Sequence, residues 1–155
     1  MRTLRSESLQ QTLAFGVALG RRAFPGAFIA LIGDLGAGKT ALVRGIGVGL
    51  GVTSRVQSPT YILVQTHEGG RLPLWHADFY RLGDAEELEA IGFFDILGGD
   101  GVVVVEWADK FLDDLPSDRL EIRIDIQENN RTLTVLATGE RHRAIEAFEP
   151  EGGDA

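Results

Sequence analysis

The run Gly33-Asp34-Leu35-Gly36-Ala37-Gly38-Lys39-Thr40 constrains this chain more than any other stretch of it. It fits G-x-x-x-x-G-K-[ST] without a gap, a pattern that about one random chain of this length in 200 would contain. The residue types have a physical purpose. Glycines let successive backbone N–H groups turn inward and form a nest for anions. A helix that starts at the lysine adds the positive end of its dipole at the same point. Lys39 is then placed for the β- and γ-phosphates of a nucleotide, and the Thr40 hydroxyl for Mg²⁺. The flanks agree. Ala27 to Ile32 is an unbroken apolar run of strand length, the pattern of a strand buried on both faces in a parallel sheet. Lys39 to about Leu50 reads as a helix. Strand, glycine loop and helix form the first half of a βαβ unit, so Gly33, Asp34, Leu35, Gly36, Ala37, Gly38, Lys39 and Thr40 are expected to form a phosphate-binding loop at the carboxyl edge of a parallel sheet.

A length of 155 residues predicts one domain, assigned to residues 1–148, with a disordered tail over 149–155 containing Pro150, Gly152 and Gly153. With no cysteine, disulfides, thiolate metal sites and cysteine nucleophiles are excluded. Fifteen basic residues against twenty-three acidic ones give a net charge of −8. A surface of that sign is repelled by phosphate backbones and anionic membranes, so direct capture of DNA or RNA is not expected. The N-terminal residues lack the apolar run of a secretory signal, and the best apolar stretch, Ala23 to Ile32, is interrupted by Pro25 and Gly26. A soluble, cytoplasmic protein is expected.

Other elements follow from local signals. Ser8-Leu9-Gln10-Gln11 has the form of a capping box and opens a helix from Leu9 to about Ala23, with Leu9, Leu13, Val17 and Gly20 on one face. Tyr61 to Thr66 and Leu72 to Ala77 read as a hairpin around His67-Glu68-Gly69-Gly70-Arg71. Asp84-Ala85-Glu86-Glu87 opens a short helix that Gly92 closes. Val102 to Val105 is a second apolar strand. Leu120 to Ile126 and Thr132 to Thr138 flank an expected turn at Asn129-Asn130, and Arg141 to Phe148 reads as a short closing helix.

A phosphate-binding loop needs an acid at the end of a neighbouring strand. Val102-Val103-Val104-Val105-Glu106 supplies one, with a glutamate capping a surface strand as the alternative role. Asp78 follows the Leu72–Ala77 run within His76-Ala77-Asp78-Phe79-Tyr80-Arg81 and is a candidate to ligate Mg²⁺ or orient water. Arg81 either stabilises charge on the γ-phosphate or holds a loop through an acid. His76 is expected to be packed or hydrogen-bonded rather than catalytic, and three scattered histidines argue against zinc. Ser58-Pro59-Thr60-Tyr61 lies where a switch segment would sense the γ-phosphate or metal through Thr60; taken alone it is an ordinary turn. Trp107 is an aromatic at the site's edge or a core residue.

These motifs in this order resemble the TsaE (YjeE) family, P-loop ATPases of bacterial tRNA threonylcarbamoyladenosine biosynthesis. The resemblance rests on Gly33–Thr40, Ser58–Tyr61, His76–Arg81 and Val105-Glu106-Trp107, and extends from about Leu9 to Thr138. It implies ATP hydrolysis with Mg²⁺ held at Thr40 and Glu106, Asp78 as an essential acid and Ser58–Tyr61 as a switch. It also implies TsaD and TsaB as partners, with tRNA reached only through them, and a nucleotide pocket closed by the segment around Leu9 to Thr12. Ala41 departs from the many members that carry a second hydroxyl after Thr40.

The expected fold is a compact α/β P-loop domain: a mixed sheet, parallel in the centre and finished by antiparallel hairpin strands, with helices on both faces. The expected catalytic residues are Lys39, Asp78 and Glu106, with Gly33 to Thr40 and Thr60 on the nucleotide. A small-molecule kinase and a nucleotide-gated binding module remain as alternatives, because both use the same loop.

Overall fold

The computed structural model describes residues 1–33, 38–53 and 64–149. Asp34, Leu35, Gly36 and Ala37, the segment with Ser58, Pro59, Thr60 and Tyr61, and the tail from Pro150 lie outside the described residues. Seven strands are present among the described residues: β1 (Arg2–Ser6), β2 (Phe28–Ile32), β3 (Val64–His67), β4 (Leu74–Asp78), β5 (Val102–Glu106), β6 (Leu120–Gln127) and β7 (Asn130–Ala137). They form one sheet in the order β1-β7-β6-β2-β5-β4-β3. The helices are α1 (Leu9–Arg22), α2 (Lys39–Leu50), α3 (Glu86–Ala90) and α4 (Arg143–Glu146), joined by 3₁₀ turns at Phe93–Ile96, Ala108–Asp114 and Glu140–His142.

Pairing is parallel where the strands are most apolar. β2 runs parallel to β5 and to β6, and β4 runs parallel to β5. The outer pairs β1–β7, β6–β7 and β3–β4 are antiparallel. Every residue of β2 and β5 is buried, because both faces of the centre are covered. Ile29, Leu31, Val102 and Val104 point into a core shared with α1, α2 and α4. Phe28, Ala30, Val103 and Val105 point into a second core closed by Leu82, Leu88, Phe93 and Phe111. The mixed sheet with a parallel centre and covered faces is the architecture expected from the sequence.

Several local expectations are corrected. β1 was not anticipated: Arg2-Thr3-Leu4-Arg5-Ser6 is short and charged, yet Leu4 packs on the core while the arginines keep the sheet edge polar. β4 extends to Asp78, so that acid ends a strand rather than following it. Among the described residues β3 covers Val64–His67, one residue past the expected end at Thr66; positions 61–63 of the expected strand lie outside them. The Gln127–Asn130 pair closes the last hairpin one residue earlier than expected, with Glu128 at φ 55°. Glu149, assigned to the tail, lies 3.2 Å from the Arg2 guanidinium.

The buried face of α1 also differs from the expected leucine stripe. Leu9 is exposed, whereas Thr12, Phe15, Gly16, Leu19 and Gly20 are buried. The reason is a backbone-to-backbone crossing. Gly16 and Gly20 of α1 meet Gly45 and Gly49 of α2, and a Cβ added at Gly16 would sit 2.8 Å from the Gly45 Cα. A Cβ at Gly45 would overlap the Leu13 carbonyl oxygen. Leucines cannot occupy the contact line, so they flank it. This crossing seats α2, and with it Lys39, against the sheet.

The closing helix expected from Arg141 to Phe148 is instead a 3₁₀ turn followed by the single turn of α4, with His142 at the junction. Its ring is fully buried, Nε2 accepts the Phe28 N–H at 2.9 Å, and Nδ1 lies 2.6 Å from Asp118 Oδ1. The pattern assigns a neutral ring that donates from Nδ1.

Two tests follow. Gly45→Ala should lower stability by about 3 kcal/mol, the upper end for overpacking, whereas Gly99→Ala, which meets only Ile96 O at 3.8 Å, should be near neutral. Equal urea midpoints for the two variants would contradict the crossing. Burial lowers the His142 pKa from 6.5, partly opposed by Asp118, while Arg141 adds to the lowering. The folded protein therefore resists a protonation that the unfolded chain accepts, and stability is lost as pH falls below about 6.5. Urea midpoints from about pH 7 to about pH 5.5 should drop in the native protein and drop less steeply in His142→Gln.

Candidate functional site

Strand parity and register assemble the candidate site. Leu74, His76 and Asp78 alternate onto the face of β4 that looks toward α2, as Val102, Val104 and Glu106 do on β5. The parallel ladder pairs Asp78 with Glu106 and Leu31 of β2 with Glu106. The last residues of β4 and β5 therefore stand side by side, next to the end of β2, where the chain leaves through Gly33. Two acids that are twenty-eight positions apart in sequence meet at one sheet edge.

Gly38 caps α2 with φ 100°, a left-handed conformation that favours glycine, and Leu42 N–H bonds to its carbonyl. Lys39 and Thr40 occupy the first turn of α2. Lys39, expected at the mouth of the loop with its charge facing phosphate, is only 4% exposed. Its ammonium donates to the Gly33 carbonyl at 2.6 Å and lies 3.8 Å from the centroid of the Trp107 ring. A carbonyl and an aromatic face thus hold the ammonium, and its charge also acts on the Asp78 carboxyl.

Trp107 reaches this position through an unusual backbone. It takes φ 59°, turning the chain sharply after β5 so that its indole folds back over Lys39. Tyr80 packs against its ring at a tilt of 46°, with 5.0 Å between centroids. Of the two places left open for Trp107, it reaches both: its ring lies over Lys39 and it packs against the second core.

Glu106 is 3% exposed, so it does not cap a surface strand. His76 Nε2 lies 2.6 Å from Glu106 Oε2, and this histidine is fully buried. Asp78 accepts the Tyr80 N–H at 2.9 Å through Oδ1. Burial pushes the Asp78 carboxyl above its ordinary range; the Tyr80 bond opposes the shift, the charge of Glu106 adds to it, and Lys39 and His76 oppose it. The loop after β4 is secured by Lys110, whose ammonium donates to the carbonyls of Phe79, Tyr80 and Leu82 at 3.3, 2.6 and 2.9 Å. Arg81 is exposed on that loop. Lys110 carries no motif signal; only the structure reveals it.

Lys39, Thr40, Asp78 and Glu106 thus gather at one edge, and Gly33 and Gly38 bracket the loop. Asp34, Leu35, Gly36, Ala37 and Thr60 lie outside the described residues. No group of three or more His, Cys, Asp or Glu suited to a metal exists among the described residues. No described helix is long and apolar enough to cross a membrane.

A profile of the family described as threonylcarbamoyl adenosine biosynthesis protein TsaE matches residues 6–133. The chain belongs to the TsaE family. The TsaE protein of Bacillus subtilis (strain 168) is 38% identical over 142 residues, covering 91% of this chain and 89% of that relative. The TsaE protein of Streptomyces coelicolor is 43% identical over 124 residues, covering 75% and 83%. A crystal structure of Bacillus subtilis YdiB superposes with a TM-score of 0.80 at 33% identity, over 93% of this chain and 90% of that one. The matched span of the TsaE profile includes Gly33–Thr40, His76–Arg81 and Glu106-Trp107.

Lys39→Ala in this TsaE-family chain should abolish binding of nucleotide phosphates while costing about 2 kcal/mol of stability, part of it from the Gly33 hydrogen bond and the Trp107 ring contact. Calorimetry with ADP and a urea titration measure the two effects. Undiminished nucleotide binding would contradict the role of the lysine.

Proposed function

We propose that this chain hydrolyses ATP with Mg²⁺ in support of tRNA threonylcarbamoyladenosine biosynthesis, slowly by itself and faster in a cytoplasmic complex with TsaD and TsaB. The observation that carries the reading is the meeting of Lys39, Asp78 and Glu106 at the carboxyl edge of β2, β4 and β5, beside the N-terminus of α2. Ligand sites of open α/β sheets form at that edge.

The residues fit the metal in the manner usual for Mg²⁺. That ion is seldom caged by protein alone; it takes one or two carboxylates and completes its shell with phosphates and water. Thr40 and Glu106 would hold it, and the absence of a dense ligand cluster among the described residues accords with that. When bound, the ion neutralises charge on the transferring phosphoryl group.

The chain's own residues supply positioning and electrostatics. Lys39 exchanges its carbonyl and ring partners for phosphate oxygens, a charge-assisted contact stronger than either. The bond from the γ-phosphorus to the ADP oxygen breaks as a water oxygen attacks from the opposite side, and the water's proton passes to phosphate or solvent. Asp78, half-buried and held by the Tyr80 N–H, is placed to orient that water. Arg81 sits on an exposed loop, where solvent screening keeps any stabilisation of the γ-phosphate weak.

The net charge of −8 disfavours direct capture of tRNA, so partners bring the RNA. An arginine supplied by a partner adds on the order of 10³–10⁵ to rates of P-loop enzymes. Steady-state phosphate release should be very slow for the chain alone and clearly stimulated by TsaD with TsaB. High activity that ignores the partners would refute the dependence. Glu106→Ala should lower turnover more than ATP affinity, as expected of a carboxylate that acts mainly in the transition state. Equal losses in both would assign Glu106 a structural role instead.

A further inference from the structure

We propose that His76 is a positioning residue that fixes the orientation of the Glu106 carboxylate and so decides which of its oxygens faces the phosphate site. The proposal rests on the ATP and Mg²⁺ reading of that site and goes beyond it, because that reading gives His76 no role.

The geometry is specific. On β4, His76 lies two residues before Asp78, on the same face, and its register partner on β5 is Val104. Glu106 therefore sits one step diagonally ahead of it along the sheet. The glutamate side chain reaches back to the imidazole, giving a 2.6 Å bond between His76 Nε2 and Glu106 Oε2. Both residues are buried. His76 Nδ1 is buried and has no hydrogen-bond partner among the described residues. A proton there would be a buried donor with nothing to bond, whereas an unprotonated Nδ1 leaves only an unused acceptor. The hydrogen-bond pattern thus assigns the proton to Nε2, which donates to the carboxylate.

The consequence is asymmetry between the oxygens of Glu106. Oε2 is claimed by the histidine, which leaves Oε1 as the oxygen to turn toward the phosphate site. An unrestrained glutamate at this point would choose among several rotamers, and the neighbouring Asp78 charge would push it away from the sheet edge. One buried, short hydrogen bond removes that freedom. Residues that orient a metal-linked carboxylate in this way typically change metal affinity or activity by about 10–100-fold when removed.

A merely structural histidine would fill space and nothing more, so the test separates donor from volume. His76→Leu and His76→Met keep apolar bulk without a donor, the flexible methionine serving where leucine fails to fold. His76→Gln keeps an N–H of similar reach. Each purified protein is bound to ADP, and its affinity for Mn²⁺ is measured by electron paramagnetic resonance, alongside ADP affinity without metal and the urea midpoint. The expected result is Mn²⁺ affinity weakened by about 10–100-fold in the donor-free variants, restored toward native in His76→Gln, with metal-free ADP affinity unchanged. Native Mn²⁺ affinity in a folded donor-free variant overturns the positioning role alone. So does equal weakening in His76→Gln and His76→Leu, which would mark a packing effect. Failure of the native protein–ADP complex to bind Mn²⁺ at all overturns the metal reading of the site and the proposal with it.

Discussion

Parallel pairing of β5 with β2 on one side and β4 on the other is the constraint from which the site follows. Side chains in a parallel ladder stand about 4.8 Å apart, so residues at matched ends have no choice about their neighbours. Because Leu31 and Asp78 both pair with Glu106, the loop that starts at Gly33 and the acid that ends β4 are delivered to the same edge. The pairing is stable because Val102 to Val105 are apolar on both faces and both faces are covered. Polar chemistry at the edge is thus anchored by a stretch of chain that itself has none.

That arrangement brings buried charged residues to one sheet edge. Lys39 and Glu106 are both nearly inaccessible; Lys39 contacts the Gly33 carbonyl and the Trp107 indole, and Glu106 the His76 imidazole. Burying charged groups is costly compared with leaving them in water. The cost is tolerated because the surrounding frame is rigid: the glycine crossing of α1 and α2 fixes the start of α2, and Lys110 ties down the loop after β4. Strain at Trp107 belongs to the same economy, since its left-handed backbone is what puts the ring over the lysine.

Much of this was legible in the sequence, for physical reasons that differ by element. β2 and β5 could be read because strands buried on both faces are apolar at every residue, while the expected loop between β2 and α2 falls largely on positions 34–37, outside the described residues. Helix α2 was read to its observed ends, Lys39 and Leu50. Glu106 and Asp78 were readable as acids at strand ends, but their adjacency was not, since register is a property of three-dimensional pairing. The α1 face was misread because the periodicity of large apolar residues misleads where two helices touch through glycine. His76 was read as packed or hydrogen-bonded, which it is, but its partner lies thirty positions away and left no local trace. Lys110 was invisible for the same reason: its partners are backbone carbonyls, which carry no sequence signal.

The most direct measurement of the central claim is a crystal structure of the protein with Mg²⁺ and a mimic of the γ-phosphate on ADP. The account predicts that the Lys39 ammonium leaves Gly33 O and Trp107 for phosphate oxygens. It also predicts that the metal lies between the Thr40 hydroxyl and Glu106, with a water between Asp78 and the γ-position. A nucleotide bound elsewhere, or Lys39 still resting on Gly33 O with phosphates in place, would contradict it.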